Sequence, residues 1–170
     1  QHSEQAVADG GSGIQAEDDE PDDKRSWYGK RLGNYRLRRV ICSGNFGIVF
    51  QAEDVNLQRI TALKVLRKRI AGATEKERVQ LFLQEARAVA ALDHPNIVQI
   101  YEINDMQGWW YIAMEYLEGG NLLNLIKNTG AMDPHRASIL IADAAGGLAE
   151  AHEMGIVHRD IKPDNLMLTR

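Results

Sequence analysis

The 170 residues carry 24 acids against 20 bases, a formal balance of −4, with 44% hydrophobic and 26% charged side chains. That composition is globular, with chain enough for one domain, and it excludes collagen, a mucin-like stalk and disorder throughout. The most apolar stretch, Ala137 to Ala149, is broken by Asp143, and no run reaches the ~18 uncharged apolar residues of a membrane span. A single cysteine, Cys42, has no intrachain partner and points to a reducing, cytoplasmic setting. The modest charge argues against a dedicated nucleic-acid binder. The chain begins at Gln1 with neither an initiator Met nor a signal-peptide pattern, as a processed product or a fragment would.

Residues 1–26 hold eight acids and two bases, so the remaining chain is slightly basic. Few large apolar side chains, a Gly10-Gly11-Ser12-Gly13 stretch and the cluster Glu17-Asp18-Asp19-Glu20 predict a disordered acidic arm, since ordering it would bury too little surface to offset the entropy lost. From Tyr35 the pattern predicts strands at Tyr35–Ile41, Ile48–Glu53 and Ile60–Leu66, joined by tight turns into an antiparallel meander. Residues 75–92 change period, with Val79, Phe82, Leu83, Ala86, Val89 and Ala90 on one helical face. Pro95 disfavours the α conformation before it and closes that segment. Two more strands are expected at Ile97–Ile103 and Trp109–Met114. A short helix at Asn121–Asn128 and a long one at Pro134–Met154 follow, the latter with Asp133 as N-cap, Pro134 at its first position and Gly155 as its stop. Leu166-Met167-Leu168 reads as the start of a strand whose partner this chain does not supply. Strands first and helices afterwards suggest two lobes.

Three sites have residue types suited to chemistry. Cys42-Ser43-Gly44-Asn45-Phe46-Gly47-Ile48-Val49 lies between two strands, where glycines let backbone N–H groups approach an anion; an ordinary hairpin with two glycines fits the same residues. Because a strand follows, neither a Rossmann fingerprint nor a Walker loop is supported. Lys64 sits mid-strand and Glu85 within the apolar face of its helix, each costly to bury alone, so that they pair or else Lys64 snorkels and Glu85 lies at the edge of the stripe. His158-Arg159-Asp160-Ile161-Lys162-Pro163-Asp164-Asn165 places a base, a cation and an oxygen donor on one short loop. Phosphoryl transfer needs those three: a group to orient the hydroxyl, positive charge for phosphate oxygens, and a ligand for Mg²⁺. The histidines are scattered and give no comparable support to a Zn²⁺ site or a Ser/His/Asp triad.

With these motifs in order, residues 35–169 resemble the protein kinases, and the general wording is similar to bacterial serine/threonine members. Thr61-Ala62-Leu63-Lys64 is similar to the family's Val-Ala-Ile-Lys strand, Glu85 stands where the C-helix glutamate would, and residues 158–165 resemble the catalytic loop. Lys162 followed by Pro163 resembles serine/threonine rather than tyrosine kinases. The resemblance implies an α+β, two-lobe fold: a five-stranded antiparallel N-lobe sheet with one helix (about 35–114), a hinge at 115–118 and a truncated helical C-lobe (119–170). It implies ATP as cofactor with Mg²⁺, and a protein substrate with a Ser or Thr hydroxyl. Gly44 and Gly47 would cover the phosphates, with Ile41, Cys42 and Phe46 lining the same loop; Val49 and Ala62 would pack on adenine beside the hinge residues Met114, Glu115 and Leu117. Lys64, braced by Glu85, would hold the α and β phosphates. Asp160 would accept or orient the hydroxyl proton, Lys162 would neutralise the moving phosphoryl group, and Asn165 would bind Mg²⁺. His158 would anchor the loop, and Arg159 would receive a phosphate from an activation segment.

Two departures stand out. Cys42 replaces the loop's first glycine, so its Cβ requires the turn to avoid positive φ or tolerate strain. The family's Asp-Phe-Gly and activation segment have no counterpart among the 170 residues, so the chain reads as a truncated kinase domain with little or no turnover and apolar faces on residues 134–154 left without packing partners. The alternative is a catalytically silent nucleotide-binding or scaffold module.

Overall fold

The computed structural model describes residues 12–14, 24–44, 47–66 and 74–169. Its centre is an antiparallel sheet of six strands in the order β1-β2-β3-β4-β6-β5. The strands are β1 Arg31–Leu32, β2 Tyr35–Ser43, β3 Gly47–Asp54, β4 Arg59–Leu66, β5 Ile100–Met106 and β6 Trp109–Glu115. The five expected strands are present; the sixth, β1, has two residues, too few to leave a period in the sequence.

Alternation of side chains along β3, β4 and β6 divides the sheet into two faces. Phe50 pairs with Leu63, Leu63 with Ala113, Ile48 with Val65 and Val65 with Tyr111, so these residues point the same way. With Leu37, Trp109 and Trp27 they form the larger core. Trp27 meets Trp109 edge to face at 4.7 Å and stacks on Phe50 at 5.8 Å, and each large side chain so buried contributes about 1.5–3 kcal/mol. On the same face the carboxylate of Glu102 from β5 accepts the hydroxyls of Tyr35 (2.7 Å) and Tyr111 (3.3 Å). Burial, reinforced by that carboxylate, raises both phenols above their ordinary values, so both remain donors at neutral pH. Tyr35 lies on β2, yet its hydroxyl reaches a carboxylate of the outermost strand β5, so the sheet is curled.

The opposite face takes α1 (Glu75–Ala90), whose Phe82 and Ala86 pack with Leu66 and Ile112. Thr74 and Glu77 form a capping box at its start, satisfying otherwise orphaned amides. Phe82 and Ala86 of the expected apolar stripe are buried and Val79 is packed against them, but Arg78 is also buried. β5 begins three residues later than expected, because Ile97 N–H closes a turn on His94 O at 3.0 Å and Asn96 N–H donates to His94 Nδ1 at 3.1 Å.

Tyr116–Asn121 leads from the sheet to α2 (Leu122–Thr129) and α3 (Pro134–Glu153). Asp133 caps α3 through Arg136 N–H at 3.1 Å, and Gly155, at φ +74°, ends it as expected. A side chain at Gly147 would meet Asn96 O at 3.0 Å, so α3 seats closely on the turn after α1. Its Ile139 and Ile141 are exposed. Leu166–Leu168 does have a partner, contrary to the sequence expectation: Leu168 N–H donates to Gly120 O (2.8 Å), Gly119 N–H to Leu168 O (3.0 Å) and Leu122 N–H to Leu166 O (2.8 Å). The complementary segment lacks the strand period because it is a two-glycine link. Among residues 1–26, Ser12–Ile14 and the 3-10 turn beginning at Lys24 are described, and Ile14 is buried in the larger core; one Ile among acids gave no sequence signal for this.

Candidate functional site

The register builds the first half of the site. Cys42 pairs with Val49, Val49 with Lys64, and Ala62 with Met114; cross-strand partners share a face, so these five side chains gather on the side opposite the larger core. Lys64 is flanked by Val49 and Ile112. Its ammonium donates to Glu85 Oε1 at 2.7 Å and lies 5.8 Å from the Phe82 ring. The Lys64 side chain is 21% exposed and that of Glu85 60%, so the helix carboxylate is at the stripe's edge and yet makes the pair. Both readings left open for these residues hold in part.

The Gly-containing turn is tight on the sheet side. Gly44 N–H donates to Gly47 O at 2.9 Å, and a Cβ on Gly47 would stand 2.7 Å from the Val65 carbonyl oxygen. Around Gly44 a Cβ would meet nothing within 4 Å. Cys42 resolves the tension expected of it: it is an ordinary strand residue, and the non-glycine residues with positive φ among those described are Gln58, Gln107 and Arg159. Burial raises the Cys42 thiol above its ordinary value while the charge of Lys64 pulls the other way. Ile41 falls where the β2–β3 register slips between Val40 and Cys42. Phe46 lies outside the described residues. Met114, Glu115 and Leu117 are partly buried, at the end of β6 and just beyond it; Glu115 pairs with Thr61 and its N–H donates to Gln99 O at 2.9 Å.

The second half is the loop after α3. Lys162 Nζ approaches both oxygens of Asp160, at 3.0 and 2.8 Å. Asn165 Nδ2 donates to the Asp160 carbonyl oxygen at 2.7 Å and to its Oδ2 at 3.0 Å. Asp160 N–H donates to His158 Nδ1 at 3.2 Å, which puts the proton of a neutral His158 on Nε2. Arg159 between them has φ +64°, a left-handed conformation that costs a non-glycine residue energy and recurs at functional loops. No sequence signal marked it. The hydrogen bonds from Lys162 and Asn165 hold the Asp160 carboxyl below its usual range, and the Asp160 carboxylate raises Lys162.

Such a cluster is chemically legible. The Asn165 amide nitrogen is engaged twice, leaving its Oδ1 as the acceptor end, which suits a hard cation that prefers oxygen. Among the described residues no three His, Cys, Asp or Glu side chains gather into a metal site. Likewise, among the described residues, no hydrogen bond or ion pair joins the Lys64–Glu85 pair to the Asp160 cluster; the two halves are linked through the chain at 116–122 and its pairing with 166–168. No described helix is long and apolar enough to cross a membrane.

Comparison with known proteins agrees with this geometry. The protein kinase domain family matches residues 35–170. A serine/threonine-protein kinase of Bacillus subtilis, PrkC, is 40% identical over 141 residues, 82% of this chain and 22% of that protein. PknJ of Mycobacterium tuberculosis is 36% identical over 84% of the chain and 24% of its own length. Among solved structures, a mutant of the Mycobacterium tuberculosis PknI kinase domain superposes with TM-score 0.69 and 28% identity over 84% of this chain and 57% of that one. The apo form of PpkA-294 gives TM-score 0.73 and 25% identity over 83% and 56%. The chain thus spans about a quarter of these curated relatives and just over half of the solved chains. With its two-faced sheet, its lysine–glutamate pair and its Asp-Lys-Asn loop in the family's order, the chain belongs to the protein kinase family, among the bacterial-type serine/threonine kinases.

Proposed function

We propose that these residues are the N-terminal part of a catalytic domain that transfers the γ-phosphoryl group of ATP to a serine or threonine hydroxyl of a protein. The observation that carries the reading is the convergence of Lys162 Nζ and Asn165 Nδ2 on the Asp160 carboxylate. That carboxylate, held ionised, is suited to orient the substrate hydroxyl and take its proton as the oxygen attacks. Lys162, already within reach of Asp160, can turn its charge to the phosphate oxygens that develop charge in the transition state. Lys64 supplies a fixed cation to the α and β phosphates, and Glu85 keeps that ammonium from collapsing elsewhere. Val49, Ala62 and Met114 offer a flat apolar wall on the same face, fit for a purine ring, and the backbone of Glu115 to Leu117 would meet its edge. Gly44 and Gly47 would close over the phosphates. Mg²⁺, when bound, would neutralise phosphate charge, with Asn165 Oδ1 as one ligand.

The test is phosphate transfer from ATP to a protein hydroxyl by the product of the whole gene, before and after Asp160→Asn. The expected result is a fall of about a hundredfold or more in turnover with ATP binding retained, general acid–base catalysis and positioning together being worth that much. Undiminished transfer by the variant would refute the assignment. ATP binding without transfer by the unsubstituted protein would instead identify a nucleotide-binding module.

A further inference from the structure

Three members of the larger core precede the kinase match: Ile14, Trp27 and Leu32, all 1% exposed or less. Ile14 comes from within the acidic arm. Its N–H donates to Arg31 O at 2.9 Å, and Arg31 N–H donates to Ser12 O at 3.0 Å, so Gly13 pairs in parallel with Arg31 on the side of β1 not taken by β2. A sheet edge with open amides is a template for strand addition, specified by side-chain sockets at alternate positions. Here both elements are present: two backbone bonds and one socket, filled by Ile14. The charges are complementary as well. Residues 1–23 carry eight acids and no Lys or Arg, whereas residues 24–39 carry seven bases and no acid. Opposite charges joined by a short tether attract through the solvent whatever path the tether takes, and salt weakens them.

We propose that Ser12–Ile14 form an intramolecular strap, an added strand with an isoleucine plug, steered to the β1 edge by its acidic flank and closing the core of the sheet from outside the family match. The occupant of this edge is the chain's own arm. So small a contact opens without unfolding the sheet, which makes it a local, salt-dependent equilibrium.

Amide hydrogen exchange on the product of the whole gene tests this at two reporters, Ile14 and Arg31, whose N–H groups are bonded through the strap. Both are expected to exchange at least about tenfold more slowly than unprotected amides, and several-fold faster at high salt, while Phe50 and Leu63 at the sheet centre do not respond. Ile14→Asp should bring Arg31 to the unprotected rate and Ile14→Val should keep it protected. If Ile14→Asp unfolds the sheet, seen at Leu63, the salt series on the unsubstituted chain decides. An Arg31 amide unprotected at low salt, protected equally at every salt concentration, or unaffected by Ile14→Asp in a folded sheet would overturn the proposal. None of these readouts needs nucleotide or phosphate transfer, so failure here is separate from failure of the kinase reading.

Discussion

Replacing Lys64 by Met separates the structural work of the ammonium from its work on a nucleotide. The side chain keeps its length and apolar stem but loses the charge that lies 2.7 Å from Glu85 Oε1 and 5.8 Å from the Phe82 ring. Because Glu85 is 60% exposed, solvent screens the pair, and pairs of that kind contribute about 1 kcal/mol at most. The cation–π contact adds about 0.5 kcal/mol. Against these losses, Lys64 is 21% exposed, and an uncharged thioether beside Phe82 escapes the desolvation cost while gaining a sulfur–aromatic contact. The net change is within about 1 kcal/mol, or about 2–4 °C in Tm for a chain of this size. A charged hydrogen bond to a phosphate is worth about 1.5–3 kcal/mol net, so ATP affinity should fall by about tenfold to about 150-fold. Thermal melts of Lys64→Met and titration calorimetry with ATP on the same preparation measure both. An unchanged ATP affinity with an intact fold would place the phosphates elsewhere; a Tm drop beyond about 10 °C would mean that the ion pair is chiefly structural.

Asp160 and Lys162 predict opposite ends of a pH profile. The carboxyl of Asp160 is depressed below 3.8 and Lys162 is raised above 10.5, so the stabilisation from Asp160 is present above its ordinary value and lost as pH falls through the depressed one, while that from Lys162 is present below 10.5 and lost as pH rises through the raised value. Lys162→Ala should let the Asp160 carboxyl move up toward 3.8, read by carboxyl NMR titration, and an unmoved Asp160 would show that Asn165 alone sets it. At the turn, Gly47→Ala pushes a Cβ to within 2.7 Å of the Val65 carbonyl oxygen, costing about 1–3 kcal/mol and about 2–12 °C of Tm. Gly44→Ala meets nothing and should leave the melt unchanged while weakening ATP binding; equal melts for the two variants would contradict the register of β3 on β4.

The sequence exposed what periodic patterns and dense motifs can carry. The strand pattern put Lys64 mid-strand in β4, and the capping and stop residues of α3 gave its ends to within one residue. Its failures share a physical cause. β1 is two residues long, the pairing of Leu166–Leu168 falls on a glycine link, and Ile14 is one apolar side chain among acids; each is fixed by tertiary contact rather than local period. The late start of β5 came from the turn chemistry of His94 and Asn96, which an apolar run from Ile97 concealed. At the site, types and order were visible, but the left-handed Arg159 and the two bonds of the Asn165 amide were not, since neither conformation nor hydrogen-bond direction is written in residue spacing.

The two halves of the site are held with unequal stiffness. Lys64 sits between strands paired on both sides, so its position changes only if β3, β4 and β6 move together. Asp160 lies on a loop whose residues 157–165 are all exposed. Its path is fixed by two anchors: Ile156 N–H on Ala151 O at 2.8 Å before it, and the pairing of 166–168 with 119–122 after it. Between them, Arg159 stores strain of about 1–3 kcal/mol, offset by the contacts that Lys162 and Asn165 make with Asp160. The second anchor also ties the loop to the link leaving β6, and it is close enough that a Cβ on Gly119 would collide with the Leu168 carbonyl. Glycine at 119 is therefore a condition for placing Asp160, as Gly47 is for placing Lys64: in each half, a backbone approach that excludes a side chain sets where the functional group stands.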